Sequence, residues 1–240
     1  MAISSLNELR ALARPLLDEQ ATADALAGYY AFHHPAERTV LFVTPVDAGV
    51  GGADGFLVRA RTGMDLFRPL VTLRARSQRA VDDLVRQGLP ERRPVYLTVP
   101  ENHAEWVNRS LTVTDAELHH LYRYDPRRYM PEINVLVMTS TGADGLPRCE
   151  IRAGDRAGAV AGINWQSPRY AEIYVYTEAA VRGRGWGKAV VRLLSGMVLK
   201  SGRTPLYVVS QSNEYSIRLA EAVGYVDTGQ FEYVGQAIRE

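Results

Sequence analysis

Residues 177–188 form a glycine-rich segment between a β-rich run and an amphipathic helix, and few folds accommodate this order of elements. The segment reads TEAAVRGRGWGK. Glycines between a strand and a helix let backbone N–H groups converge on one point, where the helix dipole adds positive potential. Arg182, Arg184 and Lys188 add positive charge at the same place. The segment predicts an anion-binding turn; the alternative is a tight turn that needs glycine only for positive φ.

Single residues exclude two common phosphate-binding loops. The Walker pattern requires glycine where Arg182 stands and serine or threonine where Ala189 stands. The dinucleotide-binding fingerprint requires glycine at Lys188 or Val190. The loop therefore belongs to another class of anion-binding turn.

The pattern that fits is Q/R-x-x-G-x-G/A, with Arg182, Gly185 and Gly187 at its fixed positions. The flanking motifs are VYT at residues 175–177, NEYSIRL at residues 213–219 and VGY at residues 223–225. Through these motifs, residues 147–235 resemble the GNAT family of N-acetyltransferases. The resemblance implies the GNAT fold, a mixed and mostly antiparallel central sheet flanked by helices, of the α+β or α/β class.

The resemblance also implies acetyl-CoA as cosubstrate. Backbone N–H groups of the loop would hold its pyrophosphate, and its pantetheine would lie along a splayed strand as an added strand does. A backbone N–H of that strand would stabilise the oxyanion. The implied cofactor-binding residues are Val175, Tyr176, Thr177, Arg182, Gly183, Arg184, Gly185, Trp186, Gly187, Lys188, Asn213 and Ser216. For Trp186, packing under the helix is the alternative, and for Asn213 it is capping of the next helix.

Glu172 is the candidate general base, because it is the only acid in the strand segment 170–176. Some relatives carry glutamate in the same context. Action near neutral pH would require burial to raise its pKa above the ordinary value of about 4.3. The alternatives are a solvated carboxylate and an ion pair with Arg169.

The sequence departs from the family where many members carry the tyrosine that protonates the leaving thiolate. That position is Ala220 here. Tyr215 and Ser216 are nearby hydroxyls and are the candidate catalytic groups for this step. Thiolate is a tolerable leaving group near pH 8, so the reaction can also proceed without a dedicated acid.

The proline- and arginine-rich stretch 125–131 divides the chain into a domain of residues 1–128 and a GNAT domain of residues 129–240. The first is predicted as a smaller, non-catalytic α/β domain without the glycine loop. Its patterns predict a three-strand meander whose last strand begins the order strand, helix, strand, helix, strand. Because the second half repeats that order, we advance a degenerate GNAT-like repeat as a hypothesis.

Composition narrows the class of protein further. The 240 residues carry 28 basic and 27 acidic side chains, so neither nucleic acid nor a membrane is an expected partner. A single cysteine, Cys149, excludes an intramolecular disulfide. The five histidines lack metal-ligand spacing, so no metal is expected. No apolar run reaches the roughly 18 residues that span a bilayer, and the N-terminus lacks a signal-peptide pattern; we expect a soluble cytoplasmic protein.

The sequence thus predicts an N-acetyltransferase that moves an acetyl group from acetyl-CoA to an amine of a small molecule or peptide. One alternative is a non-catalytic module that binds or senses acyl-CoA. Another is an interaction protein with a vestigial loop. Oligomeric state is open, with a homodimer among the alternatives.

Overall fold

The computed structural model describes residues 5–45, 52–63, 65, 67–130, 134, 136–142 and 144–240. The helices are α1 Leu6–Ala13, α2 Ala25–Gly28, α3 Gln78–Gly88, α4 Ala104–Ser110, α5 Trp186–Lys200 and α6 Glu214–Val223. The strands are β1 Thr39–Pro45, β2 Ala53–Ala60, β3 Leu70–Ala75, β4 Val95–Pro100, β5 Thr112–Tyr124, β6 Met138–Thr141, β7 Pro147–Ala153, β8 Arg156–Gln166, β9 Tyr170–Thr177, β10 Thr204–Ser210 and β11 Tyr225–Ile238.

The chain divides into two compact units. The first unit contains residues 1–119 and 230–240, and the second contains residues 120–229. This division differs from the predicted boundary at residue 128, because the last residues of the chain return to the first unit. They do so because residues 232–237 of β11 pair with β4.

In the first unit, β1, β2 and β3 form the predicted antiparallel meander. Strand β4 then pairs parallel with β3 and antiparallel with β11. Helix α3 begins at its N-cap Ser77. It buries Val81, Leu84 and Val85 in a core that includes Leu57 and Leu73. The amphipathic pattern of α3 therefore positions this helix on the sheet.

In the second unit, β6, β7, β8 and β9 pair antiparallel in sequence order, and β10 pairs parallel with β9. Helix α5 buries Val190, Val191, Leu194 and Val198 against this sheet. The predicted fold class, a mixed and mostly antiparallel sheet with helices, is confirmed.

The predicted repetition of elements is present as well. The order β3-α3-β4-α4-β5 recurs as β9-α5-β10-α6-β11. In both units an antiparallel pair precedes a parallel one: β2 with β3 before β3 with β4, and β8 with β9 before β9 with β10. The two units therefore share strand order and sense of pairing, as the repeat hypothesis requires.

Candidate functional site

Strands β9 and β10 of the second unit pair over only part of their length. Their parallel register runs from Thr204 opposite Tyr170 to Leu206 opposite Glu172 and ends there. Both strands continue, β9 to Thr177 and β10 to Ser210. Within this fully described segment, the edge of β9 that faces β10 has no strand partner beyond Glu172. This splay leaves backbone groups free to pair with an extended ligand.

The loop after β9 holds the start of α5 open. Gly183 and Gly185 have φ values of +80° and +77°, which favour glycine, and no described atom lies within 4 Å of a Cβ built on either. Gly185 is the N-cap and provides no side chain to the helix. No described group accepts a hydrogen bond from the amides of residues 183–188. Unsatisfied amides at a helix N-terminus form an anion site.

A pocket of about 310 Å³ lies at this helix start. Its lining residues are Gly183, Gly185, Gly187, Lys188, Tyr215, Arg218 and Leu219. The pocket thus brings the loop glycines next to Tyr215 on α6, one of the two candidate catalytic hydroxyls. Arg218 was missed by the sequence analysis, although its position one turn after Tyr215 on the same helix could have indicated it.

The basic side chains around the loop have different local roles. Arg182 is exposed, and its Nε donates to the Thr177 carbonyl over 3.3 Å, which ties the loop back to the end of β9. Arg184 lies over the Trp186 ring at 5.7 Å from its centroid. Lys188 is exposed, lines the pocket and lies in the first turn of α5. Lys188 is therefore the cation best placed to meet an anion at the helix start.

The side chains of three predicted cofactor-binding residues point elsewhere. Trp186 packs against Gly158, where a Cβ would lie 2.6 Å from the indole ring, so its side chain takes the alternative role of packing under the helix. Val175 packs against the core and Thr177 is buried. For these residues the backbone, rather than the side chain, is available to a ligand.

The start of α6 carries two polar side chains, Asn213 at the N-cap and Ser216 in the first turn. The Asn213 side-chain oxygen accepts from the Ser216 amide over 3.1 Å, so the capping role of Asn213 is present. No described group accepts from the Asn213 side-chain amide. The Ser216 hydroxyl lies 2.6 Å from the Tyr207 hydroxyl. Tyr207, on β10, is a polar contact that the sequence analysis missed inside an apolar strand.

Glu172 lies at the last paired position of the splay. Its side chain is buried, Oε1 accepts from Asn164 over 2.6 Å, and Oε2 accepts from the Trp165 indole over 2.7 Å. Burial raises the pKa of Glu172, and the two hydrogen bonds oppose that rise. The alternative of a solvated carboxylate is therefore wrong. Arg169 is exposed and makes no ion pair with Glu172 in the described part of the chain.

Asn164 reaches Glu172 because of a β-bulge. The register between β8 and β9 shifts between Ile163 and Trp165, so Asn164 is the extra residue. Sequence analysis missed Asn164; its polar side chain within the apolar run 159–165 was the available signal.

Comparison with known proteins gives the fold family. Residues 151–234 match the family model described as FR47-like protein. A GCN5-related N-acetyltransferase from Kribbella flavida superposes with a TM-score of 0.65 at 14% identity, over 92% of this chain and 96% of that one. A GCN5-related N-acetyltransferase-like protein from Streptococcus suis gives 0.63 at 13% identity, over 97% and 100%. This chain has the GNAT fold. The predicted resemblance to the GNAT family is confirmed.

Another structure with the GNAT fold also spans both units. It is a tandem GNAT protein from the clavulanic acid biosynthesis pathway, with a TM-score of 0.58 and 15% identity over 98% of this chain and 93% of that one. No curated protein matches this chain significantly. At these identities the structural matches establish the fold only. The reaction has to be inferred from the residues of this chain.

Two further residues that the sequence analysis considered are buried. Ala220, at the family's tyrosine position, is fully buried. Cys149 is also buried as predicted, and desolvation raises its pKa to about 11.

The described residues contain no cluster of three histidine, cysteine or acidic side chains that could bind a metal. No helix among them has the length and apolar character needed to cross a bilayer.

Proposed function

We propose that this protein is an N-acetyltransferase that transfers an acetyl group from acetyl-CoA to an amine of a small molecule or peptide. One observation carries the proposal: the open, glycine-lined start of α5 adjoins a splay between β9 and β10 at whose apex a buried glutamate lies. The first feature suits a pyrophosphate, the second an extended thioester arm, and the third a base.

The residues present fit the cosubstrate. The amides of residues 183–188 have no other described acceptor, and the open space beside Gly183 and Gly185 admits phosphate oxygens at close range. Lys188 and Arg182 supply positive charge, and the free edge of β9 over residues 173–177 supplies backbone partners for pantetheine. Acetyl-CoA supplies an acetyl group activated as a thioester.

In the reaction the chain's own groups position atoms and move protons. Glu172 accepts a proton from the acceptor ammonium, directly or through a water, and its raised pKa makes it a stronger base than an ordinary carboxylate. The neutral amine then forms the new C–N bond, the nitrogen releases its second proton to solvent, the C–S bond breaks, and the sulfur keeps the electron pair. A backbone N–H at the free edge of β9 stabilises the oxyanion formed between these events.

The first test is thermal unfolding with acetyl-CoA, and with NADPH as a nucleotide of another class. A ligand that binds only the folded state adds about 2.7 kcal/mol at a hundred times its Kd, which raises Tm visibly. We expect a rise with acetyl-CoA alone, followed by release of free thiol when suitable amines are supplied. A rise without thiol release from any amine would favour the acyl-CoA-sensing module.

Lys188→Glu tests the binding site within the same fold. Reversal of this charge should weaken acetyl-CoA binding by about a hundredfold, or about 2.8 kcal/mol, measured by calorimetry. Lys200→Glu is the matched control, because Lys200 is the chain's only other lysine and lies exposed at the opposite end of α5. Equal affinities in the two variants would contradict the site. Substitution of Gly185 is less informative, since its φ of +77° would strain any other residue.

A further inference from the structure

Two hydroxyl groups meet where the splay of the second unit begins. Tyr207 on β10 directly follows Leu206, the last residue that pairs with β9. Its hydroxyl lies 2.6 Å from the hydroxyl of Ser216, which is on the first turn of α6. The pair therefore links the apex of the splay to the helix that lines the pocket.

The hydrogen bond between the two hydroxyls can run in either direction, and in one of them the serine proton is left free. Tyr207 is 2% exposed, and burial raises the pKa of its phenol, whereas the hydrogen bond with Ser216 opposes that rise. The phenol therefore keeps its proton and can donate it to Ser216. Ser216 is the hydrogen-bond partner of the Tyr207 hydroxyl. When the phenol donates to Ser216, the serine proton is left to point away from Tyr207.

The rest of the surroundings hold Ser216 in place. The Ser216 amide donates to the Asn213 side chain, which fixes the first turn of α6. Tyr207 is further held by the Tyr225 ring at 5.5 Å between centroids. One turn after Ser216 on the helix, Ala220 is fully buried and has no hydroxyl. Ser216 is thus the hydroxyl on this face of α6 that a second side chain orients.

We propose that Tyr207 is a positioning residue that donates to Ser216 and so directs the serine hydroxyl proton toward the sulfur of the departing CoA. The inference rests on the proposed function. As the C–S bond breaks, the sulfur keeps the electron pair and carries the negative charge. Ser216 donates a hydrogen bond to that thiolate without giving up its proton, and solvent protonates the sulfur after release.

The experiment titrates free CoA bound to the protein and needs no acceptor. Ultraviolet absorbance of the thiolate gives the pKa of the bound thiol in wild type, Tyr207→Phe, Ser216→Ala and the double variant. Calorimetry with acetyl-CoA, which has no thiol, measures binding separately in each variant. Tyr124→Phe is the matched control, because Tyr124 lies in the same core and its buried hydroxyl has no described partner.

In wild type and Tyr124→Phe we expect a bound thiol pKa below that of free CoA titrated in the same buffer. A hydrogen bond to the charged form accounts for about one unit, and Tyr207→Phe should lose most of it with unchanged acetyl-CoA affinity. Ser216→Ala should show the same rise, and the double variant no further rise, because the two groups act as one.

Two results would overturn the inference, and they are distinguishable. If acetyl-CoA binds and the thiol pKa is the same in wild type, Tyr207→Phe and Ser216→Ala, the pair does not face the sulfur. If neither CoA nor acetyl-CoA binds wild type, the proposed function fails and the role of Tyr207 fails with it.

Discussion

The two units start corresponding helices in opposite ways. In the first unit, Ser77 caps α3 by accepting from the Ala80 amide over 3.2 Å, and its hydroxyl donates to the Asp54 carboxylate over 2.7 Å. In the second unit, the N-cap of α5 is Gly185, which has no side chain to donate or accept. The first helix start is filled by the chain's own oxygen atoms, whereas no described side chain caps the second, where we propose that the pyrophosphate binds.

Strands β3 and β4 of the first unit also pair over only part of their length, as β9 and β10 do, but the unpaired edge of β3 is occupied. Pairing between β3 and β4 ends at Val71 opposite Leu97. Beyond it, the ring of His103 accepts from the Ala75 amide over 3.1 Å and its other nitrogen donates to Asn102 over 2.7 Å. The chain's own imidazole thus occupies the edge of β3, whereas no described strand pairs with β9 on the corresponding edge beyond Glu172 and only the Arg182 side chain reaches the Thr177 carbonyl at its end.

The apex residues complete the contrast. Val71 is at the last paired position of the first splay and Glu172 at that of the second, and both are buried. One architecture therefore supports two outcomes. Self-contacts stabilise the first unit, and the second unit leaves the same positions free and adds a carboxylate.

The largest expected effect is at the apex of the second splay. Glu172→Gln should lower turnover by about a hundredfold to a thousandfold near neutral pH, because the amide cannot accept the proton. Affinity for acetyl-CoA should stay unchanged, since the base acts on the acceptor. Thiol release with an active amine and calorimetry measure the two quantities.

Glu232→Gln is the matched control for that prediction. Glu232 is a buried glutamate of the first unit that accepts from Thr98 over 3.1 Å, and its removal should leave turnover intact. In wild type, kcat/KM should fall on the acid side through a pKa above the ordinary range of glutamate, because burial disfavours the ionised base. A Glu172→Gln variant that keeps this acid limb would remove Glu172 from the mechanism.

The next largest effect concerns His103, whose ring contacts the unpaired edge of β3 in the first unit. Burial and the nearby Arg74 lower the pKa of His103 to about 4, so the folded protein holds the ring neutral. In the unfolded chain the His103 ring binds a proton below about pH 6.5. The free energy of unfolding of the first unit therefore falls by up to about 3 kcal/mol as the pH falls from 6.5 to 4. His103→Ala should destabilise the first unit by about 2 kcal/mol at pH 7, because the Ala75 amide loses its acceptor.

The difference in the free energy of unfolding of the first unit between wild type and His103→Ala should therefore shrink as the pH falls to 4. Hydrogen exchange of amides in β3 and β4 at the two pH values measures it. A difference that is constant with pH would show that the ring is not held neutral. The number of acetyl-CoA molecules bound per chain should stay at one in both proteins, because removal of the His103 ring creates no glycine-rich loop at the start of α3.

Local patterns predicted much of this structure. The apolar spacing of α3 and α5 and the glycine after α6 gave the helices, and the motif around Arg182 gave the loop and the fold family. These signals are readable because each depends on neighbours in sequence. The carboxylate at Glu172 was also identified, since it is the only acid in its strand.

Contacts between distant residues were not predictable in the same way. The bulge that brings Asn164 to Glu172 depends on the register of two strands. The Tyr207–Ser216 contact depends on how α6 packs on β10. The contact of His103 with the Ala75 amide joins residues 28 positions apart, and no short motif encodes it. The return of β11 to the first unit is likewise a matter of strand pairing.

The smallest expected effects separate capping from ligand binding. Ser77→Ala should cost the first unit about 1 kcal/mol and leave acetyl-CoA affinity unchanged, since both hydrogen bonds of the Ser77 hydroxyl lie within the first unit. Asn213→Ala should cost the second unit a similar amount and also weaken acetyl-CoA binding about fivefold, because one hydrogen bond to pantetheine is lost. Asn213→Ser keeps a capping oxygen without the amide donor, so stability should recover while affinity stays reduced. Unfolding with and without acetyl-CoA measures both quantities, and full recovery of affinity in Asn213→Ser would leave Asn213 as a cap alone.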